Sequence, residues 1–435
     1  MKQTMHLSTR KLITVVTRLR TINVGNEALS NELLNLVRSE FLDFHVCALE
    51  RAPRFLDKYS TKGLSADISK ALIEFETWAQ KIVSICKDQS LNVDLDQLKS
   101  SEVSLVRTSK TPRWKPLIDS KLGIRKTMSS LGLHDKEMKN RLSVYKSSSI
   151  TILNPAGEFN FVSIDPPLRM LLELRVAQLL GSRAGVVNFS FETPNSYIAE
   201  LFAKIMNKFD FICVRDSLSL QHLLESGLNP EKAVVIADLA FLTQPEPAEK
   251  GREIAESLGI DLKLKTAALV INSKIVTSRL DQWKKVVEKL NRDFDQVILL
   301  SNEISSDLPF LKSLQKINPF IKLVLAQLNY KDYASLLGSI DLVISTRLHS
   351  SVLSMVSGTF VIPIEPLKCK IKGLLKDVNY PISTSNLNDT RWTLDVCDLL
   401  KASFSEEEYN ELSNLVNVAR SKIRSDYKFL LSSIL

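Results

Sequence analysis

The chain has 435 residues, 44% hydrophobic and 24% charged, with a net charge of +8. These values fit two globular domains, exclude a low-complexity or disordered chain, and favour an anionic partner without selecting one. Aromatic residues are only 7% and no nucleic-acid-binding module is visible, so no nucleic acid is expected as partner. The five cysteines form no CxxC pair, so neither a disulfide framework nor a zinc site is indicated. A reducing cytoplasm fits best, and no metal or other cofactor is expected. Residues 1–8 lack the apolar core of a secretory leader, and no apolar run approaches the roughly 20 residues that span a bilayer. Any membrane contact would be peripheral.

In chain order, Leu12–Val16 reads as a first strand and Thr21–Glu27 as a polar turn. Ala28, Leu29, Leu33, Leu34, Leu36 and Val37 then recur at helical spacing. The lone Gly25 at this turn is a weak phosphate-loop signal. Residues 71–78 look helical, and residues 101–150 carry eleven Lys/Arg against four Asp/Glu. The stretch from about 61 to 148 reads as a basic, mostly helical insertion. It is either a solvated excursion or a basic lip over an anionic acceptor or membrane.

Strands at 149–153, 185–190, 211–214 and 233–236 alternate with helices at 168–180, 197–206 and 219–226. That rhythm predicts a doubly wound parallel sheet in an α/β fold. Gln244–Lys250, with two prolines among charges, reads as a linker. Strands then follow at 267–271, 296–300, 321–325, 342–344 and 360–364, with helices such as 280–290 and 332–337. A long amphipathic helix over 405–435 ends the pattern. Residues 1–244 and 245–435 are therefore expected to form two Rossmann-like domains, with carboxyl strand ends facing a central cleft.

Three strand ends carry chemistry. Asn23, Gly25, Asn26 and Glu27 follow the first strand; Arg215 follows Phe211–Val214; Arg347, Leu348 and His349 follow Leu342–Ile344. A guanidinium fork suits a carboxylate or phosphate, so Arg215 and Arg347 are read as anion contacts, Arg215 in preference to pairing with Asp216. A histidine beside an arginine at a helix start should have a lowered pKa, giving a neutral base or proton shuttle. Asp238 reads equally as a turn cap or as a hinge residue. Lys370 and Lys372 either reach an anion or lie in a solvated loop, and Glu365 is placed to accept from a ribose or sugar hydroxyl.

These residues carry a resemblance to the polysaccharide pyruvyl transferase family. Asn23-Val24-Gly25-Asn26-Glu27-Ala28 resembles its Asn-x-Gly-Asp-Glu-Ala turn, with Asn26 in place of Asp. Val214-Arg215-Asp216 to Ser219, then Asp238, resembles its Val-Arg-Asp-x-x-Ser block and later Asp. Arg347-Leu348-His349, then Gly358 and Lys370, resembles its Arg-x-His block and following Lys. Asn154-Pro155-Ala156-Gly157 stands where a Gly-Gly pair is common, and Pro366 or Leu367 where an aromatic is frequent.

The resemblance implies a GT-B-like fold, with the first half on the acceptor side and the second on the donor side. It implies transfer of an enolpyruvyl unit from phosphoenolpyruvate to a sugar, forming a pyruvate ketal on a cell-surface polysaccharide or its lipid-linked precursor. Arg215, Arg347 and His349 would hold the donor, with His349 moving a proton. Asn23, Gly25, Asn26, Glu27, Gly157, Leu348, Glu365 and Lys370 would complete the site. The enzyme would work in the cytoplasm or at the inner face of the membrane. Two other readings are a nucleotide-sugar glycosyltransferase, with both arginines on a diphosphate, and a non-catalytic glycan- or lipid-carrier-binding protein.

Overall fold

The computed structural model describes residues 12–87 and 133–435, apart from 20, 52–53, 161–163, 194, 273–278, 367–369 and 402–403. Most of the basic stretch, residues 101–132, lies outside the described residues. The first sheet holds β1 (Leu12–Thr17), β2 (His45–Glu50), β3 (Ile150–Leu153), β4 (Arg183–Phe189), β5 (Phe211–Val214) and β6 (Ala233–Val235). The second holds β7 (Thr266–Val270), β8 (Gln296–Leu300), β9 (Lys322–Val324), β10 (Leu342–Ser345), β11 (Val361–Glu365) and β12 (Ser385–Asn386). Their orders are β2-β1-β3-β4-β5-β6 and β12-β11-β10-β7-β8-β9. Every pairing is parallel.

Strands covered by helices on both faces need apolar runs rather than alternation. β1, β3, β5 and β7 are accordingly buried at every position. Strand order reverses between β1 and β3 in the first sheet, and between β7 and β10 in the second. Ligands of open α/β sheets lie beyond the carboxyl ends of strands at such reversals.

One apolar cluster runs from helix Val24–Glu40 through the second sheet to helix Glu406–Ile434, and so joins the two halves. A second fills the other face of the first sheet. Helix Glu406–Ile434 starts with a Ser405/Glu408 capping box and crosses back to the first half. There Arg420 donates to the carbonyls of Phe241 and Thr243 at 2.8 and 2.6 Å. Among the described residues no helix is long and apolar enough to cross a membrane.

The structure departs from expectation in several places. β2 carries no run of β-branched residues and was not anticipated. The linker is shorter than expected, because Ala248 already begins helix Ala248–Ser257. Arg141, counted with the basic stretch, is buried at 2% exposure and ion-paired with Glu173. Its charge holds helix Leu133–Ser147 to the first sheet's packing instead of facing a partner.

Candidate functional site

Arg215 extends β5: its N–H reaches the Phe189 carbonyl at 3.1 Å. The side chain is fully buried, so its charge requires partners. Nε donates to Ser190 Oγ at 2.8 Å, and Nη1 donates to Asp238 Oδ2 at 2.7 Å. Nη2 has no hydrogen-bond partner among the described residues. Asp216 does not take the guanidinium. It accepts from the Ser190 and Ser219 hydroxyls and caps helix Ser217–Glu225. Asp238 is both the arginine's counterion and the cap of the turn at Leu239–Leu242. Burial alone would raise the Asp238 carboxyl, but Arg215 and His349 overcome it and hold it well below the usual carboxylate range.

His349 brings the second half to this pair. Its Nε2 lies 3.2 Å from Arg215 Nη1 and 3.6 Å from Asp238 Oδ2. A guanidinium only donates, so Nε2 accepts in this geometry and the proton of the neutral ring sits on Nδ1. The imidazole pKa is lowered, first by burial and then by Arg215 and Lys370, with Asp238 opposing. The sequence reading expected the lowering but assigned it to Arg347, the neighbour in sequence. Gly25 supports the ring from the first half, and a Cβ there would stand 2.1 Å from His349 Nδ1.

Arg347 occupies the cap position of helix Leu348–Val356. Its Nη2 pairs with Asp307, its Nη1 lies 4.0 Å from Glu303, and its buried Nε has no partner among the described residues. Glu303 in turn accepts from the Asn23 side-chain amide at 3.1 Å, across the two halves. Lys370 opens helix Lys370–Asp377, and its Nζ would lie 3.2 Å from a Cβ on Gly157. Burial, then Arg215, lowers the Lys370 ammonium to about 8, against the opposing pull of Glu365 and Asp238.

The structure thus gathers Arg215, His349, Gly25, Lys370 and Gly157 around one junction, with Asn23 linked to Arg347 through Glu303. Others stand differently. Leu348 is buried in the apolar core, leaving only its backbone at the helix start. Glu27 accepts the Tyr330 N–H at 3.1 Å and straps the halves together, and burial raises its carboxyl. The Asn26 N–H is donated to the Asn23 cap, with the residue half-buried. Glu365 is 1% exposed and accepts from the Ile371 and Lys372 N–H groups. It therefore caps the lysine's helix, which corrects the expectation of an acceptor open to a ribose or sugar. Sequence reasoning missed Ser190, Glu303 and Asp307, ordinary polar residues whose roles come only from the crossing of loops. Ala156 adopts φ +54° beside Gly157, the left-handed conformation that a Gly-Gly pair would favour there.

A comparison with curated proteins finds no match. Among solved structures the chain is similar to a glycosyltransferase from Rickettsia africae, at 14% identity and a TM-score of 0.54, covering 97% of this chain and 98% of that one. It is also similar to Anabaena HepE in complex with UDP, at 10% identity and a TM-score of 0.52, covering 97% and 100%. Staphylococcus aureus MnaA in a UDP co-structure matches at 10% identity and a TM-score of 0.52, covering 97% of each chain. These likenesses establish the GT-B-type architecture of two parallel sheets. The family model for polysaccharide pyruvyl transferases matches residues 23–366, an interval that begins at the Asn23 cap and passes through Arg215, Asp238, Arg347 and His349, and the chain belongs to that family.

Proposed function

We propose that the protein transfers the enolpyruvyl group of phosphoenolpyruvate to a sugar of a cell-surface polysaccharide or its lipid-linked precursor, closing a pyruvate ketal. The observation that carries this reading is the buried cluster of Arg215, His349 and Asp238, whose arginine has an Nη2 without a partner among the described residues. Phosphoenolpyruvate presents two anionic ends. Arg215, Arg347 and Lys370 supply three cations for them, and a guanidinium takes a carboxylate or phosphate in bidentate fashion. Arg215 follows β5 of the first sheet, and the other two cations follow β10 and β11 of the second.

In the proposed reaction the C3 methylene gains a proton and becomes a methyl. A sugar oxygen bonds C2 and releases its own proton. The C2–O bond to phosphate breaks, and a second sugar hydroxyl closes the ketal on C2, its proton leaving with the phosphate. His349 is the group suited to move one of these protons. Neutral at pH 7, it accepts at Nε2 once Arg215 turns toward the substrate, and Asp238 then stabilises the imidazolium. Arg347 and Lys370 favour departure of phosphate by offsetting its charge.

A nucleotide-sugar donor fits the side chains less well, because Glu365 is already engaged at a helix start. We place the reaction in the cytoplasm or at the inner membrane face, where a lipid-linked acceptor would be presented. Phosphate release from phosphoenolpyruvate in the presence of candidate glycans tests the reading. Glycan-dependent release supports it; turnover of a nucleotide sugar without any reaction of phosphoenolpyruvate overturns it.

A further inference from the structure

A groove of about 430 Å³ opens beside Arg215, within the roughly 300–1,000 Å³ of small-molecule sites. Its walls come from three places: Val235 of β6 with Ala237 just beyond it, Asp377 at the end of the lysine's helix with Val378, Asn379 and Pro381 after it, and residues between 411 and 423 of helix Glu406–Ile434. Arg215 is the fully buried charged residue of the lining, and its Nη2 is the guanidinium nitrogen without a partner among the described residues. Asn379, Glu411, Asn414, Val418 and Lys422 line the groove and are exposed.

The chemistry of the lining narrows the occupant. Lys422 and Glu411 oppose each other in charge, as do Arg215 and Asp377. Asp377 is also taken by the Ser217 hydroxyl at 2.6 Å, and Arg215 by Asp238. The groove therefore has no surplus of positive charge for a phosphate. Among the described residues its lining has no aromatic ring on which a nucleobase could stack. It does combine aliphatic surface, from Leu415, Val418 and Ile423, with amide, carboxylate and ammonium groups. A pyranose has the same duality, with C–H faces and equatorial hydroxyls.

We infer that this groove is the subsite for an uncharged sugar of the acceptor glycan, held by Asn379, Glu411, Asn414 and Lys422 with its reacting end toward Arg215. The inference rests on the pyruvyl-transfer reading, since that reading makes Arg215 a donor contact. It assigns helix Glu406–Ile434 a part in acceptor choice.

The test uses the full chain and two probes measured separately. Phosphoenolpyruvate affinity is read by calorimetry. Binding of a panel of methyl hexosides and methyl N-acetylhexosaminides is read by saturation-transfer NMR, with and without phosphoenolpyruvate. Val418→Arg fills the groove, and the double variant Glu411→Ala/Asn414→Ala removes polar contacts from the exposed helix face with little risk to folding. The expected result is binding of at least one glycoside, weakened tenfold or more in both variants, with phosphoenolpyruvate affinity within twofold of the parent. Binding of no glycoside, or unchanged glycoside affinity in both variants, overturns the groove assignment. Absence of phosphoenolpyruvate binding in the parent chain is a different failure, and overturns the underlying reading instead.

Discussion

Gly25 and His349 come from opposite halves of the chain, and the glycine backbone lies so close to the imidazole that a Cβ would stand 2.1 Å from Nδ1. No rotamer of the histidine could remain in place beside a methyl at that distance. Gly25→Ala should therefore move the ring away from Arg215 while leaving both sheets intact. We expect turnover to fall by about a hundredfold, of the order lost when a general acid or base is displaced, with unchanged far-UV dichroism. Activity near the parent level would show that the ring's position is unimportant.

His349→Ala should keep the fold and lose about 10²- to 10⁴-fold in turnover. The pH profile gives an independent check. The imidazole is lowered from 6.5, so the acid limb assigned to it should fall below pH 6.5 and disappear in the variant. The sign for stability follows. The unfolded histidine binds a proton at a higher pH than the folded one, so the native state gains stability as pH rises through this window. An acid limb above pH 7 would contradict the assignment.

Asp238→Asn removes the carboxylate that faces both Arg215 and His349. The pair with Arg215 is fully buried on both sides, and breaking such a pair costs about 3–5 kcal/mol. Urea unfolding should show a loss of that order, far larger than for a surface control such as Asp398→Asn. Because the Asp238 carboxyl is held below its usual range, its contribution is present above the ordinary carboxylate pKa and is lost as the solution becomes more acidic. The parent and variant curves should converge toward low pH.

Lys370 offers a third titration. Its ammonium is lowered to about 8, so part of the charge offered to phosphoenolpyruvate disappears in mildly alkaline solution. We expect kcat/KM for phosphoenolpyruvate to fall as pH rises through about 8 in the parent, and to stay level in Lys370→Arg, whose guanidinium remains charged. A parallel fall in both proteins would locate the titrating group elsewhere.

The alternation of apolar runs and helical stretches made most of both sheets readable, because buried parallel strands announce themselves as continuous Val, Ile and Leu. β2 was not readable, since His45-Val46-Cys47-Ala48-Leu49-Glu50 mixes polar ends with small residues and gains its strand character from pairing beside β1. Within the candidate site, Arg215 and His349 were legible as a guanidinium and an imidazole at strand ends. Their direct contact was not, because 134 positions separate them. Glu365 was misread for a related reason. Its place after a strand suggested an open acceptor, whereas the backbone of the following helix folds onto it.

Helix Glu406–Ile434 brings Tyr427 within 3.7 Å of Cys213, two residues before the buried arginine. A segment 214 positions further along the chain thus completes the surroundings of the strand that carries Arg215. A ribosome-bound chain lacking this helix would have the motif residues but an unfinished floor beneath them. Competence for catalysis should consequently wait until this helix has emerged and docked.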